Sequence, residues 1–254
     1  MKIFSTPSRR TFLLAAIPAA LVFGSCGNND DDDNSTPAPE LGKVQLSHAA
    51  AAANVQITAF VNDVQVSQLA YGQGSAYLNV SAGAPTLRIN NGSQTIVSQN
   101  LAITKDQNYS VFVYSPTSAI GSTPALLSVP DDLTAPAANQ VKVRVVHLAV
   151  NAPTPVRLSV PSVIPGGAPT DLTSDVAFGA ASSFVALNAG PLNLSITAAG
   201  TPRTQVLAVG DGSGTGTGTK TFEAGKIYTV LVRGISGAGV PAAQQAQAVI
   251  IQNN

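Results

Sequence analysis

Two histidines, His48 and His147, are the side chains of this 254-residue chain best suited to bind a metal ion or to act as a general base. They occupy equivalent places in two similar segments, residues 44–49 and 143–148. Neither segment has a cysteine, and no carboxylate stands at a ligand-like spacing, whereas a closed zinc site needs about four ligands. We therefore expect structural histidines that bond a neighbouring loop, with no metal site and no catalytic site.

A glycine-rich run, residues 210–219, resembles a phosphate-binding loop because it ends just before Lys220. Such a loop needs glycine directly before the lysine, and Thr219 stands there instead. The run therefore predicts a flexible hairpin tip. No Gly-x-Ser-x-Gly sequence occurs, so a hydrolytic triad would have to be built around one of the two histidines. We expect a non-enzymatic protein without a cofactor.

Tyr109 and Tyr228 each open a valine-rich segment after a polar turn. This placement is typical of the tyrosine corner of Ig-like sandwiches, in which the hydroxyl bonds nearby backbone. A ligand-stacking tyrosine is the alternative. Four further aromatic residues occur at matched positions of the two similar parts of the chain, which favours core packing: Tyr71, Tyr77, Phe178 and Phe184.

The composition limits the classes of function. Hydrophobic residues make up 44% of the chain and charged residues 10%, which predicts a folded protein and not a disordered one. Thirteen basic residues balance thirteen acidic ones, so no basic field exists to hold nucleic acid.

The N-terminus predicts export. An apolar stretch at residues 12–23 follows Arg9 and Arg10, and it is too short to span a bilayer as a helix. We interpret residues 1–25 as a signal peptide of the twin-arginine type, with an ordinary secretory signal as the alternative. Cys26, the only cysteine, follows small residues as in a bacterial lipobox, which predicts lipidation there and anchoring to a membrane. A secreted protein with a free thiol is the other interpretation.

Residues 26–42 are polar, acidic and proline-bearing, which predicts a disordered tether. The run Asp30 to Asp33 is either part of a solvated spacer or an acidic signal for display at the cell surface. The expected location is the cell envelope, in the outer membrane, with exposure at the surface or toward the periplasm left open.

From Lys43 onward, short runs rich in Val, Ile, Leu and Thr alternate with turn residues every eight to twelve positions. This pattern predicts an all-β protein built as antiparallel sandwiches. Tight hairpins are expected at Asn62-Asp63 and at residues 90–93, because Asn and Gly accept the positive φ of short turns.

Internal repetition predicts two tandem Ig-like domains. The histidine segment, an Ala-aromatic-Gly segment and a Tyr-x-Val-x-Val segment each occur twice, at residues 44–49 and 143–148, 70–83 and 177–190, and 109–113 and 228–232. We place the first sandwich at residues 43–133, a linker at 134–140 and the second sandwich at 141–254. The proline-bearing stretch 130–136 is expected to be the stiff part of this connection.

These repeated motifs resemble the bacterial envelope family known as domain of unknown function 4397. The resemblance covers nearly all of residues 43–254 and rests on strand patterns, not on catalytic signatures. It implies an Ig-like sandwich on secreted or lipid-anchored proteins, and no established reaction. Family members usually have Pro-Asp-Ala soon after the histidine, whereas this chain has alanines after His48 and Asn151-Ala152-Pro153 after His147.

Three functions remain at this point. The first is a non-catalytic envelope lipoprotein that binds, adheres or scaffolds through its surface, with a polysaccharide or a surface protein as its ligand. The second is a structural spacer without a ligand. The third is a cofactor-carrying or hydrolytic envelope protein.

Overall fold

A computed structural model describes residues 38–254, and it confirms the predicted all-β sandwich class. The predicted signal peptide, Arg9, Arg10, Cys26 and most of the tether lie outside the described residues. No helix within residues 38–254 is long and apolar enough to cross a membrane.

The first half of the described chain, residues 39–131, contains eight strands. They are β1 Leu41–Ala49, β2 Ile57–Val61, β3 Val64–Leu69, β4 Gly74–Ser81, β5 Thr86–Asn91, β6 Gln94–Asn100, β7 Asn108–Tyr114 and β8 Ala125–Asp131. Sheet I has the order β4-β1-β7-β8, and sheet II has the order β3-β2-β5-β6.

The second half, residues 140–254, contains eleven strands and one short 3-10 turn, Ala242–Gln244. The strands are β9 Gln140–Val150, β10 Val156–Val160, β11 Thr170–Asp171, β12 Ala180–Ala181, β13 Val185–Asn188, β14 Gly190–Leu192, β15 Ser195–Ala198, β16 Gln205–Ala208, β17 Lys220–Phe222, β18 Ile227–Ile235 and β19 Gln247–Gln252. Sheet III has the order β12-β9-β18-β19, with β13 also beside β9, and sheet IV has the order β11-β10-β15-β16. Strands β14 and β17 form a separate ribbon.

The two halves use the same order of strand pairing. In sheet I, β1 pairs antiparallel with β4 and parallel with β7. In sheet III, β9 pairs antiparallel with β12 and β13 and parallel with β18. One parallel pair in each of these sheets is therefore an exception to the expected antiparallel pattern.

Both predicted hairpins are present. Strands β2 and β3 are joined by Asn62 and Asp63, whose φ angles are 47° and 66°. Strands β5 and β6 are joined at Gly92-Ser93, where Gly92 has φ 58°. Short turns between twisted strands need this left-handed backbone, which Asn, Asp and Gly adopt at low cost.

The connection between the halves covers residues 132–139. Pro130 and Asp131, which we expected in the stiff connection, instead form the end of β8. Pro130 pairs with Tyr109 there, and β8 is the edge strand of sheet I. An edge strand tolerates proline because one side of its backbone has no strand to bond.

Of the four apolar clusters in the described residues, three lie between sheets. One lies between sheets I and II, and a second lies between sheets III and IV. A third joins the outer faces of sheets I and III, and we call this contact the seam; its buried members are Ala49, Phe112, Val146, Leu148 and Leu231. Because sheet III has a packed neighbour on both faces, every residue of β18 is buried.

The two halves point in the same direction along the seam. Arg144, near the start of β9, contacts Ser110, near the start of β7. The end at which β1 begins is called the entry end. The opposite end, called the distal end, gathers the connections that follow β1, β7, β9 and β18, which are residues 50–56, 115–124, 151–155 and 236–246.

Candidate functional site

His48 lies near the end of β1, where 1% of its surface is exposed. Its Nε2 lies 2.8 Å from the Val55 carbonyl, and its Nδ1 accepts the Ala50 N–H at 3.3 Å. Because a carbonyl can only accept, the proton is on Nε2 and the ring is neutral. Burial lowers the pKa of His48, although the Val55 carbonyl opposes this effect. The imidazole thus fastens β1 to the loop that follows it.

His147 occupies the equivalent position in β9 and is completely buried. Its ring packs edge-to-face on Phe178, with 5.8 Å between the ring centroids. Neither nitrogen forms a well-shaped hydrogen bond with the described residues. Burial lowers the pKa of His147 to about 4, against a weaker opposing effect of the Pro153 carbonyl. The ring is therefore neutral at physiological pH.

The lowered pKa of His147 should make the fold less stable in acid. Between about pH 6.5 and pH 4 the unfolded chain protonates this ring while the folded chain does not. As the pH is lowered through this window, the free energy of unfolding should therefore decrease, by about 3 kcal/mol in total from this group. Urea unfolding at several pH values should show a flatter dependence for His147→Phe than for the native chain. An equal pH dependence in the two proteins would show that His147 is not buried in its neutral form.

The two histidines do not converge on one site. His48 packs edge-to-face on Tyr71 in the first half, and His147 packs on Phe178 in the second. No group of three or more His, Cys, Asp or Glu side chains in residues 38–254 lies close enough to hold a metal ion.

Tyr109 and Tyr228 both bond the backbone five residues upstream. The Tyr109 hydroxyl accepts the Thr104 N–H at 3.2 Å, and the Tyr228 hydroxyl accepts the Glu223 N–H at 3.3 Å. Each contact fixes the turn that leads into β7 or β18. This is the geometry that a tyrosine corner requires.

The glycine-rich run is not a free hairpin tip, in contrast to the expectation from its composition. It lies along β19, where Ser213 bridges to Val249 and the Ile250 N–H bonds the Gly212 carbonyl at 2.9 Å. An added Cβ on Gly212 would stand 2.6 Å from the Ile250 side chain. Glycine is therefore needed so that the run can cover this strand.

The matched aromatic residues contact the seam and not only the cores of the separate sandwiches. Tyr71 of the first half is stacked by Arg233 of the second, 4.7 Å from the ring centroid. Reciprocally, Phe178 of the second half packs on Tyr114 of the first, with 5.8 Å between the ring centroids. Their repeated occurrence reflects a shared face between the halves.

A buried polar cluster occupies the seam toward the entry end, with the ion pair Arg144–Asp131 at its centre. The side chains of Arg144 and Asp131 are 2% and 0% exposed. The Arg144 guanidinium also donates to Thr229 Oγ1 and to the Pro130 carbonyl, each at 3.0 Å, and to Ser110 Oγ at 3.1 Å. Burial lowers the pKa of Arg144, and the charge of Asp131 opposes that effect.

Asp131 is satisfied by neutral donors as well. Its Oδ2 accepts the Tyr77 hydroxyl at 2.5 Å and the Ser110 hydroxyl at 2.7 Å. Burial, together with the hydrogen bond to Asp131, raises the pKa of Tyr77. Each charge is thus compensated by the other and by hydrogen bonds within the seam, so the pair offers no free charge to a ligand.

The seam has approximate two-fold symmetry. Gln45 lies opposite Ser110 in sheet I as Arg144 lies opposite Thr229 in sheet III. Asn253, directly after β19, occupies the position in the second half that Asp131, at the end of β8, occupies in the first. The Asn253 side-chain amide lies 3.4 Å from Gln45 Oε1. The ion pair on one side of the seam is therefore matched by a pair of neutral amides on the other.

The distal end presents connections from both halves side by side. Ser118 and Ile120 of the first half line a shallow groove of about 320 Å³ with Asn151 and residues 235–241 of the second. Ile120 is 92% exposed, and the Asn151 side chain donates to Ser118 Oγ at 3.2 Å. We call this surface the distal face. It is built by the two halves together.

Comparison with known families gives one match. Residues 42–155 match the model of the family described as "Domain of unknown function (DUF4397)". The match supports the DUF4397 resemblance. This DUF4397 segment spans sheets I and II and all of β9, so it contains both histidine strands. A search of curated proteins gave no match.

The two arginines of the seam, Arg144 and Arg233, were not among the residues predicted from the sequence. Each adjoins a short run of apolar residues, in Val143-Arg144-Val145-Val146 and in Val230-Leu231-Val232-Arg233. A charge within such a run is a usable signal, because fully buried Arg occurs mainly where it has a partner. The identity of the partner is not visible in the local pattern.

Proposed function

We propose that the chain is a non-catalytic lipoprotein of the bacterial cell envelope that is exported by its twin-arginine signal, anchored through acylated Cys26 and displayed at the outer membrane surface. It binds or adheres through its surface, with a polysaccharide or a surface protein as the ligand class. Residues 141–254 would be a second copy of the domain formed by residues 43–133, which the shared order of strand pairing supports.

The distal face is the observation that carries this proposal. The chain enters the folded body at Leu41, at the entry end, whereas the distal face lies at the other end of the same strands. A tether fixed at Cys26 would therefore hold the entry end toward the membrane and leave the distal face free. Connections placed on a rigid scaffold are the usual location of binding residues.

The anchor predicts how the protein partitions. Cys26→Ser removes the sulfur that carries the acyl chains, so the protein should move from the membrane fraction to the soluble fraction and lose radiolabelled fatty acid. Ser25→Ala keeps the cysteine and serves as the control, with native partitioning expected. A Cys26→Ser protein that stays with the membrane at the native level would refute lipid anchoring.

A further inference from the structure

Arg233 is a buried cation without a counter-ion among residues 38–254. It lies near the distal end of β18, 9% exposed, with its guanidinium stacked on Tyr71. None of the ion pairs among the described residues includes Arg233, and neither its Nε nor its Nη1 has a hydrogen-bond acceptor there. Burying an unpaired charge and two unbonded donors is costly, so a partner is expected.

The guanidinium lines a groove of about 390 Å³ between the two halves. First-half residues 72–75 form one wall, and Gly212, Ser213 and strand β19 form the other. The lining contains no aspartate or glutamate, and Arg233 is its only cation because the His48 ring is neutral. The hydroxyls and amides of Ser47, Gln73 and Ser213 make the rest of the groove polar.

The turn at Gly72 leaves room for the Arg233 guanidinium. Gly72 has φ +90°, and a Cβ there would stand 2.5 Å from Arg233 Nη1. Glycine at this turn therefore leaves the space that the guanidinium fills. Seam packing by itself does not need a cation, because Tyr114 occupies the equivalent place in the first half and packs on Phe178.

We propose that Arg233 binds an oxyanion, a carboxylate, sulfate or phosphate group of a ligand that enters this groove. The guanidinium offers charged N–H donors that suit such groups, and the polar lining supplies further hydrogen bonds. The inference goes beyond the display role and does not depend on the anchor. It predicts one such site per chain, since Tyr114 stands in the first half where Arg233 stands in the second.

The test uses the full purified chain and three probes, acetate, sulfate and inorganic phosphate, at an ionic strength held constant with sodium chloride. Calorimetric titration should show saturable binding of at least one probe, and the probe that binds identifies the group. Arg233→Gln should weaken that binding at least tenfold. Arg88→Gln is the matched control, because Arg88 also stacks on an aromatic ring, 4.3 Å from the Phe60 centroid, but lies outside the groove.

A measurement on the native chain keeps the test decisive if Arg233→Gln fails to fold. In an arginine-labelled sample, the Nε–H signal of Arg233 should shift during the titration. The Nε–H of Arg144, which is already bonded to Thr229, should stay in place and is the internal control. Absence of saturable binding for all three probes would overturn the proposal, and so would equal losses in Arg233→Gln and Arg88→Gln.

The chain's own acidic run, Asp30 to Asp33, could supply the same chemistry and lies outside the described residues. Replacing all four with asparagine separates the two sources. An unchanged affinity for the added probe supports an external ligand. An affinity that rises more than threefold shows that the run competes for the groove, and it would overturn the assignment to an external ligand.

Discussion

Arg144→Gln is expected to lower the free energy of unfolding by about 3–5 kcal/mol. The substitution leaves the Asp131 carboxylate fully buried with only the hydroxyls of Tyr77 and Ser110 as donors. A buried charge that has lost its counter-ion retains its whole desolvation cost. Asp131→Asn should also lower the free energy of unfolding, because it leaves the buried Arg144 guanidinium without its counter-ion.

The double variant Arg144→Gln with Asp131→Asn should recover most of that loss, to within about 1 kcal/mol of the native chain. It recreates the neutral amide pair that the molecule already has at Gln45 and Asn253, on the other side of the seam. Urea unfolding of the native, single and double variants gives the coupling energy directly.

A second ion pair provides the control for this cycle. Lys142 and Asp132 form a salt bridge close by in the sequence, but the Asp132 side chain is 56% exposed. Exposed pairs contribute about 0–1 kcal/mol, so Lys142→Gln should have little effect. A buried, mutually compensated ion pair is contradicted if Arg144→Gln is as mild as Lys142→Gln, or if the double variant is no more stable than the less stable single variant.

The strands and short turns were predictable from the sequence because their signals are local. Asn-Asp and Asn-Gly turns located the β2–β3 and β5–β6 hairpins. Backbone geometry explains this success, since positive φ at Asn62 and Asp63 is a property of these residues and their neighbours alone.

The seam was not predicted because it depends on contacts between distant residues. An isolated sandwich should show a polar outer face, yet Val145 and Val146 are adjacent and both buried, and all of β18 is buried. Continuous apolar runs of this kind indicate a strand covered on both faces. The sequence therefore contained evidence for a packed outer face, but not for the particular partner of Arg144 or Arg233.

The candidate residues also differ in whether their contacts are local or come from distant parts of the chain. Tyr109 and Tyr228 bond backbone five residues away, within reach of a local argument. Oxyanion binding at Arg233 depends on Gly72, more than 150 residues earlier, and on the groove between the halves. Such a site becomes visible only when both halves are placed together.

Display of the distal face is tested most directly by thiol labelling of intact cells that carry Ile120→Cys. The native chain has one cysteine, Cys26, which is unreactive if it is acylated, so an added cysteine becomes the only free thiol. Ile120 is 92% exposed on the distal face, whereas Ala51, at the same end, is 1% exposed and supplies the buried control Ala51→Cys.

We expect a membrane-impermeant maleimide to label Ile120→Cys on intact cells, and to leave both the native chain and Ala51→Cys unlabelled. Labelling of Ile120→Cys that occurs only after lysis would show that the distal face points away from the cell exterior. Labelling of the native chain would show a free thiol at Cys26. Either result would contradict an anchored protein that works through an outward-facing surface.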